Sequence, residues 1–212
     1  MPSSHQRIPE AFIPPIKFSK IQSNVFRGAY PRPINYPYIK TLHLKTMIAL
    51  MPDEITMEND PSLYSFCSKN NINLIHIEIN NSTKDKGKKR GIPIEQEQVL
   101  KILEIVLDKD NDPTFIFCVN GGQITSLVIA CLRKLQFWSS VSIYNEFVNY
   151  SSTINHNDRI FIENFKAKLK LPRNDKRVDW IWNGLSSKMI ETHPNMKFIK
   201  YDTELKEDAI KF

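Results

Sequence analysis

No segment of this 212-residue chain stays apolar for the roughly 20 residues that a bilayer-spanning helix needs. The longest purely apolar stretch, around Leu127–Leu132, is far shorter, so a membrane span is excluded. Cysteine is scarce. Cys67, Cys118 and Cys131 are odd in number and form no C-x-x-C pair, which supports neither a zinc ribbon nor a disulfide framework. An apolar secretion leader is missing too: residues 1–15 are polar and proline-rich, and a cytoplasmic location is the expectation. Internal repeats are absent.

Acidic residues are outnumbered, 23 against 29 Lys+Arg, for a formal net charge of +6. The surplus is concentrated. Lys84, Lys86, Lys88, Lys89 and Arg90 fall within seven residues, opposed by Asp85 alone. Without that cluster the chain carries 24 basic against 22 acidic residues, so the body is almost neutral. This distribution argues against a nucleic-acid partner, which calls for a basic stripe across a folded face. The hydrophobic fraction of 41% is that of a globular domain and excludes disorder throughout.

Hydrophobic patterning supplies the fold. Strands are expected over 24–28, 46–50, 72–79 and 114–118, the third of them buried on both faces. Asp60 and Pro61 open a helix to Lys69, as N-cap and first helical residue. Residues 35–42 also look helical, and Val99, Ile102, Leu103, Val106 and Leu107 follow helical spacing. So do Ile124, Leu127, Val128, Cys131, Leu132 and Leu135. A further helix is capped by Ser139 or Ser140 with Val141, Tyr144, Phe147 and Val148 inward, and another spans 157–169. Alternating strands and helices predict an α/β fold, a mostly parallel central sheet flanked by helices. The expected divisions are a flexible lead-in over 1–12, a domain over 13–170 and an extension over 171–212, where Trp180 and Trp182 are docking anchors or partner contacts.

The chemistry-bearing stretch is Phe115-Ile-Phe-Cys118-Val-Asn-Gly-Gly-Gln-Ile-Thr125, strand to glycine loop to helix. A cysteine just ahead of a helix N-terminus meets unpaired N–H groups and the positive end of the dipole, which favour thiolate. The same N–H groups can ring a phosphate, and Gly121 with Gly122 lets the backbone close around it. Cys67 and Cys131 read as core thiols and His76 as a hydrogen-bonded sheet histidine.

The chain resembles the atypical dual-specificity (tyrosine-type) phosphatases of plants and fungi. Within them it is most similar to the yeast oxidant-induced cell-cycle-arrest group. The supporting segments are Asn24-Val-Phe-Arg-Gly-Ala-Tyr-Pro-Arg-Pro-Ile-Asn-Tyr-Pro37, Leu42-His-Leu-Lys45, Cys131-Leu-Arg-Lys-Leu-Gln-Phe-Trp138 and Phe161-Ile-Glu-Asn-Phe165. The resemblance implies the cysteine-phosphatase fold and a loop of the form His-Cys, five residues, Arg-Thr. Carried over by position, Cys118 is the nucleophile, Val119, Asn120, Gly121, Gly122 and Gln123 form the phosphate-binding loop, and Thr125 supplies the assisting hydroxyl. No metal and no cofactor is implied.

Two positions depart from that form: Ile124 stands where the family has arginine, and Phe117 where it has histidine. Arginine offers a planar fork with a permanent charge, and isoleucine offers neither. Losing such a contact costs on the order of 10²–10³ in rate. The expectation is a pseudophosphatase that binds a phosphorylated protein or an inositol pyrophosphate, or that forms a hetero-oligomer with related phosphatase-like proteins. The alternative is an active cysteine-dependent phosphatase on the same substrates. Lys84, Lys86, Lys88, Lys89 and Arg90 are candidate basic contacts that would restore the lost charge, and Asp85 is the nearest candidate general acid.

Overall fold

The computed structural model describes residues 12–79, 91–166, 168–193 and 197–200. The basic cluster at Lys84–Arg90 and Asp85 lie outside them, as do residues 1–11 of the lead-in.

A five-stranded sheet forms the centre: β1 (Ser19–Gln22), β2 (Val25–Ala29), β3 (Thr46–Met51), β4 (Asn73–Glu78) and β5 (Thr114–Cys118), in the order β1-β2-β5-β3-β4. Only β1 and β2 pair antiparallel, and every other neighbour is parallel. The helices are α1 (Tyr36–Lys40), α2 (Pro61–Lys69), α3 (Gln96–Val106), α4 (Gln123–Leu135), α5 (Ser140–Ser151), α6 (His156–Asn164) and α7 (Ser187–Glu191). Strands β6 (Lys168–Leu171) and β7 (Lys197–Lys200) make a separate parallel pair. The α/β fold with a mostly parallel sheet between helices is thus the one expected.

Alternation along β3 and β5 sorts the core into two layers. Ile48, Leu50, Ile116 and Cys118 join α3, α4 and α5 on one face. Met47, Ala49, Phe115 and Phe117 join Ile39, Leu63 and Cys67 on the other. The first layer also takes in Leu169, Leu171, Val178, Ile181 and Trp182, and the Trp182 indole N–H donates to the Leu135 carbonyl at 3.0 Å. Asp60 caps α2 as expected, accepting from the Leu63 N–H at 3.1 Å. His76 sits 2.9 Å from the Met51 carbonyl, the satisfied sheet histidine of the sequence reading.

Several expectations need correction. β4 is a half-exposed edge strand, not one covered on both faces, because the sheet ends there. β1 was not foreseen. The helix expected over 157–169 stops at Asn164, and residues 168–171 are extended. On α5 the inward residues are Ile143 and Phe147, while Val141 is 69% exposed. Helix α4 is no one-sided stripe: Thr125, Ser126, Ile129, Ala130 and Arg133 are buried as well, because the helix is packed against α3, α5 and α6 around the sheet.

Candidate active site

Every residue of β5 is buried, and the strand delivers Cys118 to its C-terminal end with 1% of its surface exposed, paired in register with Ala29. In open parallel sheets this is the end where ligands bind. The chain then turns at Gly121, whose φ of +61° lies in the left-handed region. A Cβ there would sit 2.6 Å from the Ala29 nitrogen and 2.7 Å from the Gly28 carbonyl carbon, so only glycine lets the loop press against β2. Asn120 folds its carboxamide inward. Its Oδ1 accepts from the Gly122 N–H at 2.9 Å and lies 3.8 Å from the Cys118 thiol, which donates to it. Gly122 is the N-cap of α4 and places no side chain on the first-turn amides, which leaves the positive end of a thirteen-residue helix uncapped beside the thiol.

Beneath the loop lies Arg27, a residue with no exposed surface. Its Nη2 donates to the Gly121 carbonyl at 2.9 Å and to Ser126 Oγ at 2.8 Å, and its guanidinium carbon stands 3.8 Å above the Tyr150 ring. Among the described residues its Nε and Nη1 have no hydrogen-bond partner. Burial lowers its pKa to about 10, against smaller opposing contributions from Tyr150, Glu146 and Cys118. The guanidinium is still protonated at neutral pH, and it holds the loop carbonyl in place as a buried donor.

The other residues singled out from the sequence divide by position. Val119 is 60% exposed at the loop's outer edge. Gln123 directs its amide away from the loop, donating to Asp158 Oδ1 at 2.6 Å and to the Gly91 carbonyl at 3.2 Å. Ile124 is half-buried and packed against the larger core layer. Thr125 is buried, and its hydroxyl is unpartnered among the described residues. Cys67 and Cys131 are core thiols; burial pushes the former up to about 12 and the latter strongly upward. No group of three His, Cys, Asp or Glu side chains among the described residues is placed to hold a metal ion, and no helix among them is long and apolar enough to cross a membrane.

Two basic residues at the loop escaped the sequence reading. Arg27 carried a signal, since it occupies a core-facing strand position between Val25 and Ala29. Lys17 carried none. It lies in a turn with φ of +56°, where the Phe18 N–H donates to the Pro15 carbonyl and the Ala29 N–H to the Ile16 carbonyl at 2.8 Å. That turn brings Lys17 Nζ to within 3.3 Å of where a Cβ on Gly122 would stand.

Comparison with known proteins agrees with this arrangement. The model of the tyrosine phosphatase family matches residues 12–184. The Saccharomyces cerevisiae protein named "Putative tyrosine-protein phosphatase OCA6" is 41% identical over 178 residues, which cover 80% of this chain and 79% of that one. Inositol diphosphatase DSP3 of Arabidopsis thaliana is 32% identical over 74% of this chain and 73% of its own. Among solved structures, the core catalytic domain of the PP-IP phosphatase SIW14 from S. cerevisiae superimposes with a TM-score of 0.63 at 30% identity, over 74% of this chain and 89% of that one. The kinase-associated phosphatase KAP shares the fold at a TM-score of 0.51 and 15% identity, over 71% of this chain and 94% of that one. A cysteine-ended strand, a glycine-tight loop and an uncapped helix thus stand in a chain that belongs to the tyrosine phosphatase family.

Proposed function

We propose that the loop Val119–Gln123 beside Cys118 binds a phosphorylated ligand and that the chain turns it over weakly or not at all. One observation carries the reading: the loop is closed tightly next to the thiol, yet Ile124 is packed against the core where a guanidinium fork would be needed. In full turnover the Cys118 thiolate would attack phosphorus, forming an S–P bond as the P–O bond to the leaving group breaks and that oxygen takes a proton from water. A second water would then attack phosphorus, breaking the S–P bond and releasing phosphate, and the Thr125 hydroxyl would assist the departing thiolate. Each of these steps develops negative charge on the phosphoryl oxygens, which the missing fork would have stabilised. The relatives named as inositol diphosphatases and the PP-IP phosphatase favour an inositol pyrophosphate over a phosphoprotein as ligand. Assembly with sister family members and a cytoplasmic location belong to the same reading.

The test compares the native protein, Cys118→Ser and Ile124→Arg on a phosphotyrosine peptide and on an inositol pyrophosphate. Turnover should be about 10²–10³-fold higher in Ile124→Arg than in the native protein. Cys118-dependent turnover by the native protein at about 1 s⁻¹ or faster, within the ordinary enzymatic range, would overturn the proposal.

A further inference from the structure

We infer that Lys17 supplies, from outside the loop, the cation that the loop lacks at Ile124; the inference rests on the phosphate-loop reading above. The left-handed turn at Lys17 is tied to the end of β2 by the Ala29 N–H donating to the Ile16 carbonyl at 2.8 Å. The end of β2 is the surface against which Gly121 closes. One strand end therefore fixes both the loop and the lysine. The ammonium reaches the loop at Gly122, where the absence of a side chain makes room for it: a Cβ there would stand 3.3 Å from Lys17 Nζ and 2.9 Å from Asn120 Oδ1.

Two further observations mark this spot as built for an anion. The Thr125 hydroxyl is buried without a partner among the described residues, one helical turn from Gly122. Among the same residues, no carboxylate forms an ion pair with Lys17. A half-buried ammonium at the uncapped N-terminus of α4, with an unpartnered hydroxyl in that helix's first turn and the Cys118 thiol at the start of the loop, is a donor set for a tetrahedral dianion. A lysine gives a point charge where arginine gives a fork, so it attracts phosphate without fixing two oxygens at once. Binding is thereby retained while the positioning needed for transfer is not.

The experiment measures binding of tungstate and of inorganic phosphate to the full chain by titration calorimetry. Lys17→Asn is the main variant, because asparagine tolerates the left-handed turn and removes only the charge. Loss of a charge-assisted contact should weaken tungstate binding about ten- to a hundredfold. Lys17→Arg should stay within about threefold of the native protein, and Lys20→Asn, on the neighbouring strand, should match it. Native-like affinity in Lys17→Asn, or equal weakening in Lys20→Asn, would overturn the role of Lys17 while leaving the loop reading intact. A native protein that binds neither anion would overturn both.

Discussion

Substituting Gly121 by alanine tests whether the loop is held by close approach to β2. Two costs are separable there. An L-residue with a side chain at φ of +61° costs about 1–2 kcal/mol. The added Cβ also meets backbone at 2.6, 2.7 and 2.8 Å, in Ala29 and Gly28, which cannot rotate away as a flexible side chain would. Overpacking of this kind costs about 1–3 kcal/mol. The total of about 2–5 kcal/mol corresponds to a fall in Tm of roughly 10 °C in a domain of this size. Gly184→Ala isolates the first cost, because Gly184 has φ of +80° and nothing within 4 Å of its would-be Cβ. Its Tm should fall by roughly 4 °C. Gly91→Ala has neither cost and should leave Tm unchanged or slightly raised. Calorimetric scans at one fixed rate compare the three variants. If Gly121→Ala melts with Gly184→Ala, the contacts with β2 do not hold the loop, and the argument from tight closure fails.

Two other substitutions probe the ends of β5 and α4 remote from the loop. Arg133 gives Nε and Nη2 to the Glu146 carboxylate at 2.8 Å each, Nη2 also to the Ile21 carbonyl and Nη1 to Gln136. Lysine cannot reproduce that fork, so Arg133→Lys should cost about 2–4 kcal/mol in urea unfolding; a loss below about 0.5 kcal/mol would show the pair to be idle. Asp112 has its carboxyl raised to about 6, chiefly by burial, with a hydrogen bond from Asn24 opposing. A folded-state pKa above the unfolded one means that the native state binds the proton more tightly, so stability is present at acid pH and is lost as pH rises from about 4 to 6. Because the group is only half-buried, the screened penalty at pH 7 is about 1 kcal/mol. Asp112→Asn should be more stable by that amount at pH 7 and should converge with the native protein near pH 4; parallel pH profiles would refute the assignment.

The path from β5 through the loop to α4 was legible because each step has a local cause. Thr114–Cys118 is an uninterrupted buried strand, two glycines follow, and α4 begins one residue later. Asp60-Pro61 was legible for the same reason, a cap and a first-turn proline side by side. What failed depended on neighbours distant in sequence. The Ile-rich β4 reads as a covered strand, and only the sheet order makes it an edge. On α5, Val141, Tyr144 and Val148 satisfy helical spacing as well as Ile143 and Phe147 do. The position of α4 decides between the two faces.

The charge at the loop shows the same division more sharply. Ile124 stands on the apolar stripe of α4, and its half-buried position against the larger core layer is that of a packing residue. Nothing local, however, says what stands opposite. The sequence draws attention to Lys84–Arg90 because five cations lie together there, a signal of composition alone. Lys17 is a single cation in an unremarkable segment, and about a hundred residues separate it from Gly122. Its relevance comes from one backbone hydrogen bond, Ala29 N–H to the Ile16 carbonyl, which ties the turn to the strand that the loop closes upon. Periodicity reveals which face a residue takes within its own element. The pairing of a turn with a loop across the end of a sheet is a tertiary relation, and the proposed replacement for the charge absent at Ile124 belongs to that class. Such a replacement need only reach the same anion, so it need not occupy the position where the charge was lost.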